Sequence, residues 1–114
     1  MPFIEVKTSV HLTQANKEVI KSGLGEVITL IPGKTEAVTM VGLVGDYDLY
    51  FGGVEMKAAA YVEVKMYKSI SLEAKTAVNE GIFKLLKKTL SIDPDSLYIT
   101  FFEQAEWGVK GRLI

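Results

Sequence analysis

Apolar and polar positions alternate strictly at two places in this chain, Ile4-Glu5-Val6-Lys7 and Val62-Glu63-Val64-Lys65, 58 residues apart. Strict alternation marks a half-buried strand, because successive side chains leave a strand on opposite faces. The pattern predicts strands over about 3–8 and 60–67. Downstream of each, the period becomes helical. Ala15, Val19, Ile20, Leu24, Val27, Ile28 and Ile31 are expected on one face of a first helix, and Ala74, Val78, Ile82, Leu85, Leu86 and Leu90 on one face of a second. Thr13 and Ser71 stand where N-caps belong, and Pro32-Gly33 and Asp93-Pro94 stand at the far ends. A more continuously apolar strand then closes each stretch, at about 38–45 and 97–103.

One unit is therefore written twice. The same offset carries Lys17 onto Lys75, Gly23 onto Gly81, and Met40–Val44 onto Tyr98–Phe102. A strand–helix–strand unit with a right-handed crossover has parallel strands. Two such units related by a pseudo-twofold axis predict an α/β fold of the α+β kind: a four-stranded mixed sheet with two helices on one face and the leading strands antiparallel at its centre. Residues 1–114 are expected to form a single domain, with repeat units at about 2–45 and 59–103. Between them, Asp46-Tyr47-Asp48 and Phe51-Gly52-Gly53 read as a turn-rich excursion. Because like charges directly across a strand pair are destabilising, the leading strands are expected to set Glu5 opposite Lys65 and Lys7 opposite Glu63. The other sheet face, charged in the centre and apolar towards its edges, is expected to be buried against further copies of the chain, with Leu49–Phe51 and Trp107–Val109 bridging sheet edges.

Composition narrows the function classes. A net charge of −1, from 13 basic and 14 acidic residues, offers no basic footprint for nucleic acid. The absence of cysteine excludes disulfides and thiolate chemistry. A single histidine, His11, rules out most multi-histidine metal sites, so no metal is expected. His11, in the loop before the first helix, reads as solvated, as do the helix lysines Lys84, Lys87 and Lys88. No apolar stretch approaches the roughly 18 residues of a membrane span. The opening residues lack the cationic-then-apolar pattern of a signal peptide. The expectation is a cytoplasmic protein without a membrane partner.

Pro2 is the candidate for chemistry. It stands behind the initiator methionine at the head of the first strand. Removal of Met1 would leave a rigid secondary amine. Free α-amines titrate near ~8, and burial or a neighbouring cation lowers that value, which suits a general base at neutral pH. Acylated by Met1, the same nitrogen is an amide with no basicity.

Pro2 heading the first strand, Gly33-Lys34 after the first helix, Phe51-Gly52-Gly53 before the third main strand, and Asp93-Pro94-Asp95 leading into Leu97-Tyr98-Ile99 resemble the macrophage migration inhibitory factor family of the tautomerase superfamily. The match runs in order along nearly the whole chain. The resemblance implies a homotrimer with an active site at each subunit interface. It implies cofactor-independent keto–enol tautomerisation of aromatic 2-keto acids such as phenylpyruvate, with Pro2 as general base. It also implies substrate contacts from Lys34, from the strand end at Met66 and Tyr67, from Tyr98 of a neighbouring subunit, and from Trp107, while Thr100 takes a place usually held by asparagine. An alternative reading within the same family is a cytokine-like signalling or interaction protein with a vestigial proline pocket, and the family leaves room for leaderless secretion.

Each of these residues also has a plainer explanation. Lys34 sits where a helix dipole favours a cation, Tyr67 and Tyr98 are ordinary strand aromatics, and Trp107 serves equally as an interface anchor. The chain departs from the family's pattern as well. Met66-Tyr67-Lys68 replaces the frequent Ser-Ile-Gly, and the tail's second aromatic is Val109. Decarboxylating and dehalogenating relatives use additional arginines or acidic groups near the proline. The one arginine here, Arg112, counts against those chemistries.

Overall fold

Side chains of β1 (Pro2–Thr8) and β5 (Ala60–Tyr67) alternate between buried and half-buried along their full lengths in the computed structural model, which describes residues 1–114. Ile4, Val6, Val62, Val64 and Met66 point to one side and are sealed beneath α1 (Gln14–Ile28) and α2 (Leu72–Leu90). With β2 (Met40–Val44) and β6 (Leu97–Gln104) the sheet runs β2–β1–β5–β6. The outer pairs are parallel and the central pair is antiparallel. This is the mixed sheet covered by two helices that the repeat predicts. Two short hairpins are added. One joins β3 (Tyr50–Phe51) to β4 (Val54–Glu55) through Gly52 and Gly53, and the other joins β7 (Gly108–Val109) to β8 (Arg112–Leu113). Neither helix is long and apolar enough to cross a membrane.

Both helices start where capping chemistry dictates. Thr13 Oγ1 accepts the Asn16 N–H at 3.0 Å while Asn16 Oδ1 accepts the Thr13 N–H at 3.3 Å, and Ser71 Oγ accepts the Ala74 N–H at 3.0 Å. Such caps are each worth ~1 kcal/mol. Ile20, Leu24 and Ile28 of α1 are buried, but Ala15 and Val19, expected on that face, are exposed. Residues advance about 100° around a helix, so Val19 stands a quarter-turn from Ile20 and Ala15 further still, outside the buried stripe.

The 58-residue offset holds in three dimensions. The helices approach each other at Gly23 and Gly81, where a β-carbon on Gly23 would strike Leu85 and one on Gly81 would lie 2.9 Å from a Val27 methyl. Val27 and Leu85 are themselves 58 apart, so the contact is reciprocal. Gly33 (φ 81°) and Ser91 (φ 56°), again 58 apart, occupy left-handed conformations just beyond the two helices. A 3₁₀ turn follows each, at Glu36–Val38 and Pro94–Ser96.

The central register departs from expectation. Glu5 faces Glu63, Phe3 faces Lys65 and Lys7 faces Tyr61. Facing like charges cost up to ~1 kcal/mol, so stronger interactions must set the register. At the end of β1 the fully buried Thr8 hydroxyl donates to the Ala59 carbonyl at 2.7 Å and accepts the Val10 N–H at 3.2 Å. Ser9 adds an N–H to the same carbonyl at 3.1 Å, and its hydroxyl accepts the Ala59 N–H at 3.0 Å. A two-residue slip would break this clamp and orphan buried polar groups at ~1–3 kcal/mol each. The carboxylates find relief along their own strands instead: Lys7 lies 3.6 Å from Glu5, Lys65 lies 3.9 Å from Glu63, and Tyr61 donates to Glu63 at 3.4 Å.

Candidate active site

Pro2 is buried at the head of β1, paired with Met66 near the end of β5. A groove of about 710 Å³ opens over this corner. Met1, Pro2 and Phe3 line it from the strand, Gly33, Val38 and Met40 form one wall, and the tail from Trp107 to Ile114 forms the other. The tail is folded back by reciprocal hydrogen bonds between Trp107 and Ile114, at 3.1 and 2.9 Å. Gly33 supplies the left-handed turn that brings round Lys34, whose N–H donates to the Ile31 carbonyl at 3.1 Å.

Lys34 reaches the chain's α-amine. That amine, on Met1, is held below its ordinary value of 8.0, chiefly by burial, then by the Lys34 charge and by a hydrogen bond from Lys34. All three causes act against the protonated form. The corner thus disfavours the charged form of an amine placed there.

The remaining sequence candidates divide into two groups. Trp107 lines the groove. Met66 and Tyr67 stand at the adjacent strand end, but the Met66 side chain is wholly buried under the helices, which leaves only its backbone for any ligand contact. The Tyr67 ring carries the Lys68 ammonium 5.2 Å from its centroid. Tyr98 and Thr100 are not brought to Pro2. Tyr98 pairs with Tyr61, which faces Lys7, five residues along β1 from Pro2 and so about 17 Å away at ~3.3 Å per residue. It is 63% exposed, and its ring lies 5.4 Å from that of Phe51 above a small apolar pocket of about 130 Å³. The Thr100 hydroxyl is engaged with the Tyr61 hydroxyl at 2.8 Å. His11 is exposed and paired with Asp46 at 2.9 Å, away from the groove.

Sequence reasoning missed six groove residues: Phe3, Val38, Met40, Ile114, Lys110 and Arg112. For the last two a signal was present. Val109-Lys110-Gly111-Arg112 has a glycine where a tight hairpin needs one, so the tail turns back and presents both cations. Arg112, which as the sole arginine counted against decarboxylating and dehalogenating chemistry, is a groove residue.

The duplicated β-α-β sheet, with a proline-headed strand opening into a groove, defines a protein of the tautomerase superfamily. The sequence pattern of the macrophage migration inhibitory factor (MIF) family matches residues 1–113, and the chain belongs to that family. Its structure is similar to that of Leishmania major MIF2, with a TM-score of 0.92 at 21% identity, covering 100% of this chain and 97% of that one. A MIF homologue from Prochlorococcus marinus gives 0.84 at 24% identity, covering 97% of each chain. A protein crystallised after inactivation by 2-oxo-3-pentynoate gives 0.81 at 16% identity, covering 96% of this chain and 92% of that one. Among curated proteins no sequence match is found. At these identities the likeness speaks for the fold. Membership of the family supports tautomerase-type chemistry or a MIF-like role.

Proposed function

We propose that the chain, once freed of Met1, is a cofactor-independent keto–enol tautomerase of 2-keto acids, with phenylpyruvate as the aromatic test case. The observation that carries this reading is the buried Pro2 at the mouth of the groove, at a corner where burial and the Lys34 charge lower the pKa of the chain's α-amine. Loss of Met1 moves the free amine one residue along, to the buried Pro2 ring, where its aim is fixed. The Pro2 lone pair removes a proton from the carbon next to the keto group. The C–H electron pair forms the C=C bond while the C=O π pair moves to the keto oxygen, which takes a proton from water, and the hydroxide formed takes that proton back in the return step. Lys34 neutralises the charge that develops on the carboxylate and enolate oxygens. The return step moves the proton from Pro2 back to carbon. Inactivation of a relative of the same fold by 2-oxo-3-pentynoate, itself a 2-keto acid, supports the substrate class.

Tyr98 and Thr100 belong to this site only across an interface. The exposed Tyr98 and the open sheet face support a homotrimer in which a neighbouring copy brings its Tyr98 to the groove. The test compares processed and Met1-retaining protein, distinguished by intact mass, in one phenylpyruvate assay without added metal or nucleotide. Processed protein is expected to be faster by ~100-fold or more, the scale of general-base catalysis. Equal rates would remove Pro2 from the mechanism and leave the interaction role as the family reading. Sedimentation at micromolar concentration is expected to give a trimer, and a monomer would remove Tyr98 and Thr100 from the site.

A further inference from the structure

We infer that Glu36, seated on Gly25 of α1, is a positioning residue for Lys34: it ties to the helix the segment that carries Lys34 and continues into the Val38 and Met40 wall of the groove. This rests on the preceding reading of Lys34 as the cation beside the base and deepens it by naming what holds that cation in place.

The need for such a tie shows in the burial pattern. From Pro32 to Met40 no residue is buried, and Lys34 itself is half-buried. A segment with no side chain in the core opens easily unless another contact restrains it. In the second unit the same stretch is fixed from inside, because Ile92 and Leu97, which correspond to Lys34 and Thr39, are both buried. A lysine at position 34 serves the groove and cannot serve the core, so the first unit needs a different anchor.

That anchor is a side chain lying across a glycine. Gly25 is buried in α1, and the nearest atoms over it all belong to Glu36. A β-carbon at Gly25 would come 2.8 Å from Glu36 Cγ and collide with the carboxylate. Glycine is a poor residue for a helix interior, so the helix alone does not account for one here. The notch also fits the charge of its occupant. The Lys21 ammonium, one turn back on the same face, is favoured chiefly by Glu18 and also by the Glu36 charge. On the other side of Glu36 the segment is closed into a turn. The Thr39 N–H donates to the Glu36 carbonyl at 3.0 Å, and the Thr39 hydroxyl donates to the Thr35 carbonyl at 2.7 Å. Lys34 stands directly before that turn, so its backbone follows wherever Glu36 is seated.

Gly25→Ala is the direct test, because it fills the notch and leaves every charge in the protein. Glu36 is exposed and can swing into solvent, so the fold is retained. The first readout needs no turnover. In Met1-retaining protein the α-amine pKa, followed by NMR, should rise towards 8.0 in Gly25→Ala, as it does in Lys34→Ala, with no further rise when the two are combined. In processed protein, Gly25→Ala should lower kcat/KM for phenylpyruvate about tenfold and move its acid limb to higher pH. Glu36→Ala should also lose activity, and Glu36→Gln, equally uncharged but of the original shape, should recover most of it. An α-amine pKa unchanged by Gly25→Ala would overturn the inference. So would a full effect of Gly25→Ala in the Lys34→Ala background, or a Glu36→Gln variant as impaired as Glu36→Ala. If phenylpyruvate does not react with the processed protein, the Pro2 reading fails, and the Met1 titration alone decides for or against the tie.

Discussion

The two β-α-β units share one plan, yet the first ends in a groove of about 710 Å³ and the second in an apolar pocket of about 130 Å³. Pro2 and Lys34 correspond, 58 residues on, to Ala60 and Ile92. Ala60 is 5% exposed and continues from Ala59, so no chain end can be freed there, and Ile92 is 1% exposed and plugs the core. The left-handed residue after each helix, Gly33 or Ser91, therefore delivers a lysine to an amine at one corner and an isoleucine to the interior at the other. The closing strands differ in the same way. Gly42 leaves room for the Phe3 ring, whereas Thr100, its counterpart, meets the Tyr61 hydroxyl. Duplication supplies two equivalent corners, and two side chains with a chain terminus decide which of them can hold a base.

The sharpest way to break this comparison is at the strand heads. In processed protein Pro2→Gly should lower kcat/KM for phenylpyruvate by ~100-fold or more, because a flexible primary amine loses the fixed aim and altered basicity of the ring. Steady-state kinetics with intact mass verified would check it, and a loss under threefold would make the two corners chemically equivalent.

Lys34→Ala comes next. The loss of a charged hydrogen bond, ~1.5–3 kcal/mol, corresponds to roughly 10–100-fold in kcat/KM. The pH profile carries the sign. Lys34 lowers the α-amine's pKa, so its removal raises that value towards 8.0, and the acid limb of kcat/KM should move to higher pH. A limb that stays in place or moves down would separate Lys34 from the base.

The helix contact sharpens the comparison through stability. Gly81→Ala puts a β-carbon 2.9 Å from a methyl of Val27, a β-branched residue with a stiff χ1, so the helices must part. Overpacking of ~1–3 kcal/mol should outweigh the ~1 kcal/mol that alanine gains in helix propensity. Gly23→Ala meets the flexible end of Leu85 and should cost less. Urea denaturation of both variants compares them, and equal losses would mean that the two halves yield alike. The smallest effect belongs to the facing carboxylates. Glu63→Gln should stabilise by ~0.2–1 kcal/mol, visible as a small rise in Tm, and a fall would mean that the Lys65 and Tyr61 contacts outweigh the repulsion.

The elements were legible because their signals are local and repeated: alternation in β1 and β5, Thr13 and Ser71 as caps, and the offset itself. The register was not. Opposed charges are visible in sequence, but they are worth tenths of a kcal/mol, and the Thr8–Ser9 clamp on Ala59 that outweighs them leaves no pattern in the order of residues. Pro2, Lys34 and Trp107 could be named in advance, since chain position and turn chemistry bring them together. Lys110 and Arg112 required knowing that the tail folds back onto the proline corner.

That clamp also sets an order of events during synthesis. Thr8 and Ala59 are 51 residues apart, so β1, α1 and β2 can be complete before β5, the antiparallel partner of β1, has left the ribosome. Through that interval the edge of β1 that β5 will cover is unpaired, and Ile4 and Val6 lack the half of the core that β5 and α2 supply, a state prone to pairing with other chains. Docking of the two halves is then the slow step, with the Thr8–Ala59 bond formed as they meet. Thr8→Val should accordingly slow refolding with little change in the unfolding rate. Faster unfolding at an unchanged refolding rate would place the clamp after the barrier.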